Sequence, residues 1–198
     1  MQDVMSGMVF WEGHVVQSVH EQADGSLLIN LSEDPNKTAS CGQCGQPCVL
    51  VHDRRWRRIR ERDWFDRRVW LNVPVRRVDC HHCGARVTEH IAWLAEHARI
   101  TRRLWAWVEA LAQILPIAHV ARLTGLHWHT VKEVDRLRLQ SLHGRFDGRS
   151  VRRLVMDEFA LHKGHRYATV VMDAQTMRVL WVGEGNSREA IRPFFELL

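Results

Sequence analysis

A multidomain α+β chain is what the sequence predicts: a small β module framed by cysteines, a helical domain, and three strands closed by a helix. Three observations carry that expectation. Two Cys-x-x-Cys pairs bracket a basic segment that alternates as strands do. The apolar period then switches to that of helices, and three short apolar runs separated by turn residues follow. With 198 residues there is room for two or three small domains, and the expected divisions are 1–36, 37–95, 98–143 and 150–198.

The first segment contains "FWEGHVVQSVHEQADGSLLINLSED". Alternating stretches on both sides of Gly25, with Pro35 as a stop, predict a β-hairpin that leads into the next module. It would supply apolar surface that a very small metal-held domain lacks.

That module is framed by "CGQC" and "CHHC", which place Cys41 and Cys44 at one end and Cys80 and Cys83 at the other, 35 residues apart. Two residues between cysteines let a tight turn aim both thiolates at one ion, and Gly42, Gly45 and Gly84 supply backbone freedom. Two such pairs complete a closed tetrahedral Cys₄ site, so the expected metal is a structural zinc. The residues between them alternate as two antiparallel strands, "WRRIRERDW" and "RRVWLNVPVRRVDC", which makes a zinc ribbon. Cys48, His52, His81 and His82 are substitute ligands to weigh. Cys48 reads better as a bystander, and His81 and His82 as facing solvent or phosphate. Unrelated thiol pairs and a redox motif compete, but paired motifs on one hairpin without a βαβ context argue against both.

The charge lies in the same place. The chain carries +5 overall; between Cys44 and Cys80 there are ten Arg and no Lys against five Asp and Glu, and the rest holds 18 basic and 18 acidic residues. Arg54, Arg55, Arg57, Arg58 and Arg60 interleave with Trp56, and Trp64, Phe65 and Trp70 follow. Such a surface can neutralise phosphates and offer flat groups for stacking. The plainer reading is a solvated sheet face whose arginine stems cover tryptophans. A zinc-dependent RNA-binding module also fits this segment taken alone, and it would bind single-stranded RNA more tightly than duplex DNA.

Beyond the ribbon, "TRRLWAWVEALAQILP" puts Leu104, Val108, Leu111 and Leu115 at helical spacing, with Thr101 as N-cap and Pro116 as a break. The stretch "PIAHVARLTGLHWHTVKEVDRLRLQ" reads as two helices around a turn at Gly125. Val120 and Leu123 are expected on the inner face of the first, Leu126 over the small core, and Val131, Val134 and Leu137 along the second. This is the helix-turn-helix layout, in which the second helix enters the major groove leading with its N-terminal residues. Here those are His127, Trp128, His129, Thr130, Lys132 and Glu133. An ordinary helical hairpin has the same apolar spacing, but a neighbouring basic ribbon calls for the same partner, duplex DNA.

The last segment offers three strand-like runs, Val151–Phe159, Arg166–Asp173 and Val179–Glu184, joined by short connections that predict antiparallel hairpins. "SREAIRPFFELL" then begins a helix with Ser187 as N-cap. Three antiparallel strands and a helix are how a ribonuclease-H-like domain opens. In that fold an acidic residue on the first strand helps hold two metal ions, and hard Mg²⁺ calls for carboxylate oxygens. Asp157 has that position. A strand carboxylate paired with Lys163 or an arginine is the structural alternative.

The ribbon, then "VARLTGLHWHTVKEVDR", then "MDEFALHKGHRYATVVMD" and "RVLWVGEG" together resemble the ISL-three family of bacterial insertion-sequence transposases, over roughly residues 38–198. The resemblance implies a DNA transposase with an Asp-Asp-Glu triad, in which Asp157 matches the first Asp. It also implies recognition of the element's terminal inverted repeats by the ribbon and helix-turn-helix, and Mg²⁺ in the complete catalytic site.

The resemblance stops at Leu198, before the positions of the second Asp and the Glu. Glu158 points to the opposite face by strand alternation, and Asp173 suits a strand end better than a catalytic position. The expectation is therefore a C-terminally truncated, catalytically inactive transposase that still binds element ends. The other expectation is a regulator or inhibitor of transposition derived from one. Residues 151–198, whose sheet edge is open, are expected to be poorly stable alone or to self-associate, and the chain is expected to form a homo-oligomer or associate with a full-length transposase. No apolar run approaches membrane-spanning length and residues 1–30 lack a signal-peptide pattern. That predicts a reducing cytoplasm, and with the resemblance a bacterial, nucleoid-associated setting without membrane partners.

Overall fold

The computed structural model describes residues 10–96, 99–143, 148–162, 164 and 166–197. The chain forms two compact units, residues 1–138 and 139–198. Lys163, the lysine weighed as a partner of Asp157, lies outside the described residues.

In the first unit, β1 (His14–Glu21) and β2 (Leu27–Glu33) form the expected antiparallel hairpin. Gly25 turns it at φ 77°, and the Asp24 carboxylate accepts hydrogen bonds from the Ser26 N–H and hydroxyl. Next come β3 (Ala39–Cys41), β4 (Pro47–Cys48), β5 (Val51–Trp64), β6 (Arg67–Asp79) and β7 (Arg86–His90). β5 and β6 are the long basic hairpin, closed by Phe65 at φ 55° and Asp66. β2 lies parallel to β6, from Leu27 opposite Val69 to Asn30 opposite Asn72, so the strands on both sides of residue 36 share one seven-stranded sheet. That parallel pairing is long-range and leaves no signature in local sequence.

Alternation along β6 sets the core. Val69, Leu71, Val73 and Val75 are buried on one face with Ile29, Leu31 and Ile59, under Trp11, Ile91 and the partly buried Trp93 and Leu94. Each fully buried aliphatic side chain contributes about 1.5–3 kcal/mol relative to exposure. This is the apolar surface that the N-terminal hairpin was expected to bring.

The helices follow as α1 (Arg102–Ala112), α2 (Ile117–Thr124) and α3 (Trp128–His143). The Thr101 hydroxyl caps α1 by accepting from Leu104 N–H. Ile100, Leu104, Val108, Val120, Val131 and Val134 make the helical core, with Leu111, Leu115 and Leu126 packed against it. Two inner-face assignments differ. Leu123 is 62% exposed, and Thr124, four residues from Val120 and therefore one turn above it, takes the buried place with its hydroxyl on Val120 O. Leu137 is 37% exposed, so the α3 seam ends with Val134. Gly125 ends α2 at φ 65°, in the left-handed region that the turn requires.

The second unit contains β8 (Leu154–His162), β9 (Arg166–Asp173), β10 (Val179–Glu184) and α4 (Arg188–Phe195). The sheet is antiparallel in the order β10-β9-β8, and Ser187 caps α4 by accepting from Ala190 N–H. α4 lies over the face that holds Met156, Val171 and Trp181, with the Phe194 ring 6.1 Å from that of Trp181. Asp173 ends β9 in a turn, accepting from Gln175 N–H and the Thr176 hydroxyl. The Thr176 hydroxyl, and then Gln175 N–H, hold its carboxyl below the usual range. It is a turn residue, as its position implies.

Candidate metal centre and nucleic-acid interface

The two cysteine knuckles have the same backbone design. Gly45 N–H donates to Cys41 O and Gly84 N–H to Cys80 O, at 2.9 and 2.8 Å, with both glycines at positive φ. Cys41 N–H reaches Gln46 O and Cys80 N–H reaches Ala85 O, which completes each tight turn. Gly42 is needed for space, because a Cβ there would sit 2.2 Å from Thr88 O on β7.

These turns bring the four Sγ atoms of Cys41, Cys44, Cys80 and Cys83 within 4.8 Å of one another. Cys41 to Cys83 is 3.8 Å and Cys44 to Cys80 is 3.6 Å. A tetrahedral zinc site with metal–sulfur bonds of about 2.3 Å has sulfur–sulfur edges of about 3.8 Å, so the four thiols fit that ion. The Cys83 N–H, aided by Cys44 and the His82 N–H against burial, pulls the Cys80 thiol down to about 6. Gln46 N–H favours the Cys44 thiolate too, but burial and neighbouring thiols push that group up to about 12. The neighbouring thiols thus oppose one another's ionisation, and a cation at their centre is what would let all four be thiolates. Cys48 is buried beside them with its thiol on Gln46 O, outside the ligand set, as expected of a bystander.

The five ribbon arginines do not share one surface. From Asp53 opposite Arg77 to Glu61 opposite Val69 the register of β5 and β6 is unbroken, so neighbouring residues face opposite ways. Arg54, Arg58 and Arg60 lie on one side, Arg55 and Arg57 on the other. Arg54 pairs with Glu33 at 2.8 Å; Arg58 donates to Gln22 at 3.0 Å and lies 4.7 Å over the Trp70 ring.

Arg60 corrects the sequence reading. It is 2% exposed, donating to Val69 O at 3.2 Å, to Thr124 O at 3.3 Å, to Glu61 O and to the Asp63 carboxylate. Buried and with both terminal nitrogens engaged, it joins the ribbon to the end of α2 and offers nothing to a phosphate. Its neighbour Glu61 is fully buried and accepts from Trp11 Nε1, the Thr101 hydroxyl and Arg62 N–H, with Arg103 3.0 Å away. This polar junction seats the helices on the ribbon tip. It was missed in the sequence because nothing local separates Arg60 and Glu61 from the exposed charges around them.

On the helix-turn-helix, His127, Trp128, His129 and Lys132 are exposed and Thr130 half-buried, as expected of the leading end of a second helix. The His127 and His129 rings stack at 5.2 Å, Trp128 meets His129 edge-on, and the Lys132 ammonium lies 5.2 Å from the Trp128 ring. His127 Nδ1 also accepts from His129 N–H at 3.3 Å, so that ring helps cap α3. Glu133 is engaged with Arg136 one turn on.

Asp157 stands at the middle of β8 opposite Val170, exposed, on the face away from Met156 and α4. Its carboxylate accepts from Glu158 N–H at 2.8 Å, and Glu158 points to the other face. Among the described residues the only group of three or more candidate metal ligands is the cysteine cluster. Mg²⁺ takes several oxygen ligands at near-octahedral geometry, so one strand carboxylate does not make a magnesium site.

A Cys₄ cluster of zinc-ribbon geometry and a helix-turn-helix in one unit, followed by a separate strand unit, define the class of chain. The comparisons with known proteins agree, segment by segment. Residues 37–83 match the zinc-finger of transposase IS204/IS1001/IS1096/IS1165, residues 89–138 the helix-turn-helix domain of transposase family ISL3, and residues 154–198 a transposase family model for ISL3. The chain belongs to the ISL3 family of transposases. It is 42% identical over 196 residues to the transposase for insertion sequence element IS1001 of Bordetella parapertussis, an alignment that covers 98% of this chain and 48% of that protein. It is 29% identical over 163 residues to the transposase for insertion sequence element IS1557 of Mycobacterium tuberculosis, covering 80% of this chain and 36% of that one. The chain thus spans about half the length or less of these curated relatives. No solved structure matches. No described helix is long and apolar enough to cross a membrane.

Proposed function

We propose that residues 1–198 carry the end-recognition machinery of an insertion-sequence transposase, which binds duplex DNA at the element's terminal inverted repeats. The observation that carries this is the outward cluster of His127, Trp128, His129 and Lys132 at the start of α3, held by the same unit that contains the Cys₄ site. The helix start brings the positive end of its dipole toward DNA, Lys132 adds charge, and the rings give edges and faces to read bases. Zinc, when bound, folds the ribbon; the chain's own arginines and helices do the binding.

Asp157 is, on this reading, the first carboxylate of the Asp-Asp-Glu triad. The residues described do not complete a magnesium site around it, and no cleavage step is derived from them. Residues 1–198 by themselves are therefore expected to bind DNA without cutting it. The same combination supports a second reading, a regulator that competes with a longer transposase for the ends.

A binding titration tests the first reading. Residues 1–198 should prefer a duplex carrying an end of the encoding element over a scrambled duplex, and His129→Ala with Lys132→Ala should erase that preference. Equal affinity for both duplexes in the wild type contradicts it. Transposition of a marked element with this chain added to a full-length enzyme separates the readings: a regulator lowers the frequency, whereas an end-binding part alone without competition leaves it unchanged.

A further inference from the structure

We propose that the ribbon meets the DNA backbone through one face of its β5–β6 hairpin only, the face of Arg55, Arg57 and Arg77, while Arg54, Arg58 and Arg60 serve the fold. This rests on the DNA-binding reading above and assigns it a surface. The assignment adds Arg77 and removes three arginines that sequence alone places in the interface.

Alternation divides the hairpin's charges, and their surroundings differ. On one face Arg54 is held by Glu33, Arg58 by Gln22 and the Trp70 ring, and Arg60 by the junction at the ribbon tip. Arg76, opposite Arg54, is 2.7 Å from Glu89 and 3.8 Å from Glu33. A phosphate approaching there must first displace carboxylates already in place. On the other face the side chains of Arg55, Arg57 and Arg77 make no hydrogen bond or ion pair with a described residue, and Arg77 adds only a longer-range attraction to Asp79. They line an open depression of about 380 Å³ together with Arg76, whose guanidinium is held by Glu89, with Arg86, which is paired with Asp79, and with Val75, Val87 and Thr88.

Free guanidiniums around a hollow are what a polyanion backbone requires. They bind through charge-assisted, often bidentate hydrogen bonds, and neutralising each phosphate releases condensed counterions. One feature of the depression opposes binding and makes the surface testable in both directions. Asp53 lies at its end, and its Oδ1 is buried without a hydrogen-bond partner. A negative oxygen there lowers the affinity that the arginines supply.

The experiment uses residues 1–198 loaded with zinc, a mixed-sequence DNA duplex and single-stranded RNA of equal length, with affinity measured against salt concentration. Each phosphate contact contributes about 0.9 to the slope of log K against log salt. The Arg55→Ala, Arg57→Ala, Arg77→Ala triple variant should lose about 2 to 3 units of that slope. Arg54→Ala with Arg58→Ala should keep the wild-type slope, whatever it does to the melting temperature. Asp53→Asn should bind more tightly, a gain that misfolding does not mimic. An unchanged slope in the triple variant, or a larger loss in the Arg54/Arg58 variant, overturns the face assignment and leaves DNA binding itself standing. No duplex binding by the wild type overturns both, and tighter binding of the RNA than of the duplex reassigns the surface to RNA.

Discussion

The Cys₄ cluster and Asp157 are the two positions that the sequence pointed to for metal, and the structure builds them in opposite ways. The cysteines come from knuckles 35 residues apart, yet the β5–β6 hairpin carries them back to within 4.8 Å. Asp157 sits on an exposed sheet face, with Val155 and Phe159 on either side along its strand and its nearest acidic neighbour pointing away. One site is closed by the topology of the unit that holds it. The other presents a single carboxylate, engaged only with the next backbone N–H. A closed soft-ligand site stabilises a fold, whereas a lone hard ligand contributes nothing to stability where it stands.

The largest effect that separates them is loss of a zinc ligand. Cys80→Ser should unfold the ribbon, because binding free energy in structural zinc sites is about 10–16 kcal/mol and is largely folding free energy. Circular dichroism and metal analysis should show lost strand signal and lost zinc together. Native strand content without metal breaks the comparison.

Next in size is the ribbon–helix junction. Arg60→Met leaves the buried Val69 and Thr124 carbonyls and Asp63 without their donor. Breaking one partner of a buried charged network costs about 3–5 kcal/mol, which urea unfolding would read. A change below about 1 kcal/mol would return Arg60 to the surface set. This residue also shows what could be read from the sequence and what could not. The cysteine spacing, the Thr101 cap, the turn at Gly125 and the three strand runs were legible, because each rests on local chemistry. Arg54, Arg55, Arg57, Arg58 and Arg60 look alike in a string of letters. Their difference comes from strand alternation combined with what covers each face, and Glu33, Gln22 and Thr124 arrive from distant parts of the chain. Leu123 and Thr124 exchanged places for a related reason: the helix phase is set by Val120 and the left-handed turn, so a threonine whose hydroxyl is satisfied by its own helix can be buried.

Smaller effects follow. Gly125→Ala places a side chain in the left-handed region, at a cost of about 1–2 kcal/mol. Its Cβ would also stand 2.8 Å from the Arg68 guanidinium, so thermal melting should fall by a few degrees. Asp157→Ala should leave melting and duplex affinity unchanged within about 0.5 kcal/mol, since its carboxylate touches only the next N–H. A larger loss would mean that Asp157 supports the strand rather than waiting for metal.

Zinc content measured together with DNA binding tests the central claim most directly. Residues 1–198 should carry one zinc per chain, lose duplex binding on chelation and regain it when zinc is restored. Full-affinity duplex binding by metal-free protein would contradict the account, because the arginine faces and the seat of the helices would then stand without the Cys₄ site.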